Sequence, residues 1–328
     1  MDSETTLTIE QAISQYVDAV KLARSENTTI AYHKALAAFS QVLLNEGLDP
    51  KETSLSYLKE DSVAWFAASQ KHLSPATERQ RLTAVAGFFE FLAAERLAEP
   101  NLPRVRLLIR QRSRRPGPRL PQFPRQAIEQ TVDFANQLAA YPVENETDHL
   151  RNLRDRAFII TLADTGLRVH EACNLRRGDL DPNEGKAIII GKGNREAVVR
   201  FSQRALRAIK DYLNARSTLD GSSGRPLGTL PIFARHDKGS AKAIKLMTPT
   251  TGRNIVAERT QQALGVGNSG ITPHSFRHYF VTTVLRGSGG NLKLAQELAR
   301  HRNIQVTQRY AHLSDDELDR GYHDIFEN

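Results

Sequence analysis

The chain has 328 residues and is 40% hydrophobic, enough for one large domain or two ordinary ones and too apolar for a disordered protein. Lysine and arginine number 45 against 37 acids, a net charge of +8 with a pI near 9.6, which suits an anionic partner, nucleic acid before membrane surface, or simple solubility. The one cysteine, Cys173, excludes an internal disulfide and a multi-cysteine zinc site. No apolar run approaches the ~20 residues of a membrane span, and the acidic start MDSETTLT does not suit a signal peptide, so the cytoplasm is the expected compartment.

The first hundred residues predict four helices and no strand. Thr8 and Gln11 form a capping box ahead of Ile9, Ile13, Tyr16 and Val20 at helical spacing. A second helix runs from about Thr28 through Leu36, Phe39 and Leu43 and stops at Gly47; a short third follows Asp61 with Val63 and Phe66. Ser74 caps a fourth, with Pro75 in its first turn and Leu82, Val85, Phe89 and Leu92 on its apolar face. Between Glu99 and Arg125 lie Pro100, Pro103, Pro116, Pro118, Pro121 and Pro124, a density that predicts an extended linker over 98–121. Arg104, Arg106, Arg110, Arg112, Arg114, Arg115 and Arg119 make it basic. It reads either as a solvated tether or as a strap along a phosphate backbone.

Residues 122–328 predict a second, mixed domain. A helix over Leu153–Ala163 ends at Gly166, and a hairpin follows: Ala187–Ile190, a GKGN turn, Ala197–Val199. Helices return at Ser202–Leu213, Thr248–Leu264, Thr272–Leu285 and Asn291–Arg300, while Tyr141–Asp148 and Thr218–Leu230 read as tolerant surface loops. Ser314 with Glu317, followed by Leu318, Tyr322 and Ile325, predicts a short terminal helix with one apolar stripe, able to dock on its own domain or on a neighbour.

Four clusters carry candidate chemistry. In TGLRVHEACNL, Arg168 opens a helix and Glu171 shares its face, either as a surface ion pair or as an oriented guanidinium. Lys192 sits at the hairpin tip, solvated or reaching into a groove; the Gly-Lys-Ser/Thr ending of a nucleotide loop is missing. In TPHSFRHYF, Thr272 caps a helix and His274 and Arg277 share its first turn, where the helix already favours an anion. His274 and His278 lie four apart, without the carboxylate or cysteines of a metal site. In ARHRNIQVTQRYAHL, His301 is followed nine residues later by Tyr310, a tyrosine with little apolar cover.

Taken in order, Arg168, Lys192, His274, Arg277, His301 and Tyr310 resemble the tyrosine recombinase (phage integrase) family over almost the whole chain. The resemblance implies a mainly α fold with a small β-sheet. Residues 8–97, including SPATERQRLTAVAGFFEFL, resemble the helical SAM-like core-binding domain, and 122–328 the mixed α/β catalytic domain. It implies that Tyr310 attacks a scissile phosphate to form a 3′-phosphotyrosyl link, that Arg168 and Arg277 clamp the phosphate oxygens, and that Lys192 protonates the leaving oxygen. His274 assists proton transfer, His301 bonds the phosphate, and Glu171 orders the pocket. Arg79, Arg81, Arg110, Arg112, Arg114 and Arg115 are the expected DNA contacts. The implied partners are double-stranded DNA and the protein itself, as a tetramer on two DNA sites. No metal, cofactor or membrane is implied, and accessory proteins stay open. With no arm-binding domain ahead of Thr8, a Xer-type enzyme or a mobile-element integrase is expected. A type IB topoisomerase-like enzyme relaxing DNA and a DNA-binding protein without recombination activity are the alternatives. The chain departs from the family at Arg300, where glycine commonly precedes the histidine, at His170, where a small residue is frequent, and at Phe276 in HSFR.

Overall fold

In the computed structural model, which describes residues 7–114, 124–191, 195–236, 244–265, 270–308 and 322–323, the chain divides into two units, Met1–Arg119 and Leu120–Asn328. The first contains α1 (Ile9–Ala23), α2 (Glu26–Asn45), α3 (Asp61–Ser69), α4 (Pro75–Ala94) and α5 (Leu102–Arg112). Thr8 and Gln11 bond reciprocally at the start of α1, and Ser74 Oγ accepts the Thr77 N–H at the start of α4. The apolar stripes meet in one core, where Phe39 packs edge-on against Phe66 at 5.4 Å and Phe89 at 6.4 Å.

Helix α5 corrects the expected extended linker. Prolines forbid a helix only in its interior. Pro103 falls in the first turn of α5, where its missing N–H costs nothing, and Asn101 caps that turn by accepting the Arg104 N–H at 3.0 Å. No proline interrupts the rest of α5, and Val105 and Leu108, one turn apart, bury against the first unit's core. The end of this helix is latched. Glu78 on α4, with a fully buried side chain, accepts Lys71 Nζ at 2.8 Å, Arg114 Nε at 2.6 Å and the Arg114 amide at 3.1 Å. Lys71 also donates to the Arg112 carbonyl and Arg114 to the Leu73 carbonyl. Burial alone would raise the Glu78 carboxyl, but these donors outweigh it and hold it at about 2.

The second unit begins with α6 (Arg125–Gln137) and α7 (Glu146–Thr165), followed by α8 (Val169–Asn174), β1 (Leu180–Asp181), β2 (Lys186–Gly191) and β3 (Arg195–Arg200). Then come α9 (Gln203–Ala215), α10 (Ser217–Gly221), α11 (Pro249–Leu264), α12 (Pro273–Gly287), α13 (Leu292–Ala299) and α14 (Ile304–Gln308). Helix α7 runs through the core, covered by α6, α9 and α12, and its Phe158 meets Phe233 edge-on at 5.1 Å. It starts seven residues before the expected Leu153 because Asn145 caps it, accepting the Asp148 N–H at 2.9 Å. The hairpin forms as expected, with Ile188 opposite Val198, and β1 adds a third antiparallel strand beside β2. Ala187, Ile189 and Val199 face the core; Ile188, Ile190 and Val198 are exposed. The segment 218–230 is not the free loop expected. Buried Asp220 accepts Arg216 Nε at 2.8 Å and Arg177 Nη1 at 2.6 Å, and Leu230 is buried.

Among the described residues no helix is long and apolar enough to cross a membrane. The expected terminal helix lies outside the described residues, apart from Tyr322 and His323.

Removing the Glu78 charge takes a shared acceptor from Lys71 and Arg114, which keep their carbonyl partners and reach solvent. Glu78→Gln should cost at most about 3 kcal/mol near neutral pH, the free energy that corresponds to a carboxyl held at about 2. The Glu78 carboxyl is depressed from an ordinary ~4.3 to about 2, so its contribution is present above the unfolded value and disappears as pH falls through the folded one. Urea unfolding of both proteins should show the difference shrinking from about pH 4.5 to 2; a difference independent of pH would show that the carboxylate is not the source.

Candidate active site

The site starts from a turn that only glycine fits. Gly166 ends α7 in the left-handed region at φ +58°, and a Cβ there would overlap the Phe280 ring. The turn delivers Arg168 to the N-terminus of α8, with its side chain 42% exposed. Glu171, almost fully buried, holds it at two points: Oε2 accepts the Arg168 amide at 2.9 Å and Oε1 accepts Nη1 at 2.7 Å. Burial works against a charged Glu171, but the amide and guanidinium of Arg168, with the Arg300 guanidinium, keep its carboxyl below the usual range.

Thr272 and Pro273 open α12, with the Thr272 amide donating to Ser275 Oγ at 3.1 Å. One turn on, Arg277 is 3% exposed and donates to two backbone carbonyls, that of Gly166 and that of Ala299. A single guanidinium thus joins the turn before Arg168 to the turn before His301. His274 on the same helix is partly open to solvent and partly covered, its ring centroid 4.2 Å from that of His278 and steeply tilted to it.

Helix α13 ends at Arg300, which adopts the left-handed conformation at φ 57°, ψ 43°. The histidine stays in register: the His301 amide donates to the Gln296 carbonyl at 3.0 Å, and Nδ1 lies 2.9 Å from the buried hydroxyl of Thr307 on α14. Burial, followed by the charges of Arg277, Arg168 and Arg300, pushes His301 down to about 4. Burial and the neighbouring His274 and Arg277 push His278 to about 4 as well, and burial with Arg277 and Arg168 lowers His274. All three rings are therefore neutral near pH 7, among fixed guanidinium charges.

Of the residues expected from the sequence, Arg168, Glu171, His274, Arg277 and His301 come together. Lys192, Tyr310 and Arg115 lie outside the described residues. Of the expected DNA contacts, Arg79, Arg110 and Arg112 are exposed, whereas Arg114 is taken up by Glu78 and half-buried Arg81 donates to Gln70 Oε1 at 2.7 Å. Arg300 and Thr307 belong to the cluster without having been assigned to it. The only hint of the first was an arginine where a glycine is common; a threonine six residues past His301 gave none.

Neutral His301 has a consequence for stability. Its folded value of about 4 lies below the ~6.5 of an unfolded histidine, so between these values the unfolded chain binds more protons and stability falls as pH falls. His301→Gln should flatten the slope of unfolding free energy against pH between about 4 and 6.5, by up to one proton. Urea titrations across that range check it; an unchanged slope would mean that the ring titrates normally.

The sequence model of the phage integrase family matches residues 130–317, and that of the phage integrase N-terminal SAM-like domain matches residues 13–96. Tyrosine recombinase XerC of Lactobacillus delbrueckii subsp. bulgaricus is 28% identical over 312 residues, 94% of this chain and 95% of that protein. The XerC of Thermodesulfovibrio yellowstonii is 31% identical over 243 residues, 74% of this chain and 73% of its own. Among solved structures, XerH site-specific recombinase bound to palindromic difH substrate shares the fold with a TM-score of 0.71 at 17% identity, over 99% of this chain and 98% of that one. With the integrase family match at residues 130–317 spanning more than half of the chain, the SAM-like match ahead of it and a relative 31% identical over 74% of the chain, the chain belongs to the phage integrase family and is a tyrosine recombinase.

Proposed function

We propose that the protein is a site-specific recombinase that cleaves and rejoins double-stranded DNA through a 3′-phosphotyrosyl intermediate on Tyr310, for integration, excision or resolution. The observation that carries this reading is the Arg277 junction, which brings Arg168, His274 and His301 around one anion-attracting surface. Arg168 and Arg277 stabilise charge that builds on the non-bridging oxygens as the tyrosine oxygen adds. A phenol with a pKa near ~10 is a weak nucleophile at neutral pH. Neutral His274 is able to accept its proton, and His301, steadied by Thr307, donates a hydrogen bond to the phosphate. Lys192 protonates the leaving 5′-oxygen, and Glu171 fixes the direction of Arg168. The bond energy is kept in the phosphotyrosine, so rejoining needs no nucleotide and no cofactor.

Exposed Arg79, Arg110 and Arg112 contact DNA phosphates. The enzyme works as a tetramer on two DNA sites, in the cytoplasm, as the family resemblance implies.

A duplex nicked close to its cleavage site traps the covalent step on a denaturing gel. Tyr310→Phe should abolish the protein–DNA adduct while the gel-shift affinity stays within about threefold; an adduct formed by the Phe variant would place the nucleophile elsewhere. In the same assay, run in chelator, Arg168→Ala should slow adduct formation by about 10²–10³-fold, the cost of one transition-state donor, roughly 3 kcal/mol. A loss below tenfold would remove Arg168 from the phosphate clamp.

A further inference from the structure

Arg300 stands in a turn that favours glycine, and any side chain there is strained. The side chain turns inward. It is 11% exposed, with Nη2 3.4 Å from Glu171 Oε2 and 3.5 Å from the Gly166 carbonyl, and Nη1 3.3 Å from the Leu298 carbonyl. Its Nε is buried and has no hydrogen-bond partner among the described residues. Long bonds, an unsatisfied donor and a left-handed backbone make this guanidinium a poor stabilising element.

Charge balance supplies a better reason for it. The Arg168 guanidinium faces Oε1 of Glu171, while Oε2 accepts the Arg168 amide at 2.9 Å and has the Arg300 guanidinium 3.4 Å away. Without Arg300 the buried carboxylate would be balanced by Arg168 alone, which would hold that guanidinium against Glu171 and cancel its charge. A phosphodiester gains negative charge as a nucleophile adds, so a cancelled Arg168 is a weaker clamp. We infer that Arg300 is a positioning residue: it brings a second guanidinium to Oε2 of Glu171, beside the Arg168 amide, and so leaves more of the charge of Arg168 available to a DNA phosphate. The inference rests on the proposed reaction at this site.

The test is single-turnover cleavage of the nicked duplex by the full chain, with dissociation constants and melting temperatures measured alongside, for the wild type, Arg300→Gly, Glu171→Gln and the double variant. Glycine fits the turn, so Arg300→Gly should melt no lower than the wild type and bind the duplex within about threefold. Its adduct should nevertheless form at least tenfold more slowly. Because Arg300 acts through Glu171, the same change made in the Glu171→Gln background should cost less than threefold. A wild-type cleavage rate in Arg300→Gly overturns the inference, as does an equal loss in both backgrounds or a loss confined to binding. A wild-type adduct that Tyr310→Phe abolishes keeps the proposed reaction standing whichever way Arg300 falls; no adduct from the wild type overturns both.

Discussion

One buried guanidinium fixes the geometry on which the pocket depends. Arg277 gives hydrogen bonds to the carbonyls of Gly166 and Ala299, residues 111 and 22 positions away along the chain. Each carbonyl ends a helix, where backbone acceptors otherwise lack partners. Charge-assisted bonds of this kind, in a site shielded from water, are worth more than neutral ones. The turn after Gly166 carries Arg168 and the turn after Ala299 carries His301, so the distance between two functional side chains is set by a third.

That arrangement also sets the protonation states. Desolvation keeps the imidazoles unprotonated, and the positive charges packed close to them act in the same direction. The permanent positive charge of the surface then sits on arginines, which cannot lose it at any working pH, while a neutral histidine is able to accept a proton. Glu171 is tolerated in this field because it is bonded on both oxygens.

What the sequence made legible follows from how local each feature is. Helix starts at Thr8, Ser74 and Thr272 were readable because the capping groups lie within three residues of one another. The hairpin was readable from two short apolar runs, Ala187–Ile190 and Ala197–Val199, on either side of a GKGN turn. The ordered arginines and histidines named the family, but nothing local revealed that Arg277 bonds across 111 residues. Helix α5 was lost because prolines were weighed by density and not by position in the turn. The pairing of Arg114 with Glu78 was not legible because Glu78 reads as an ordinary first-turn acid of α4, and its complete burial appears only when α5 is folded onto it. Asp220 escaped in part for the same reason: Arg216 lies four residues before it, but its other partner, Arg177, lies 43 residues upstream.

Helix α5 changes where the first unit ends. The matched SAM-like region stops at residue 96, yet the core closes over Val105 and Leu108, and the carboxylate of Glu78 finds a counter-charge at Arg114. A fragment cut after Leu97 would open an apolar groove along α3 and α4 and leave that carboxylate to Lys71 alone. Proteases that seek unstructured chain should pass over 102–112, so the smallest first-unit piece to survive digestion and stay soluble should reach at least Arg114.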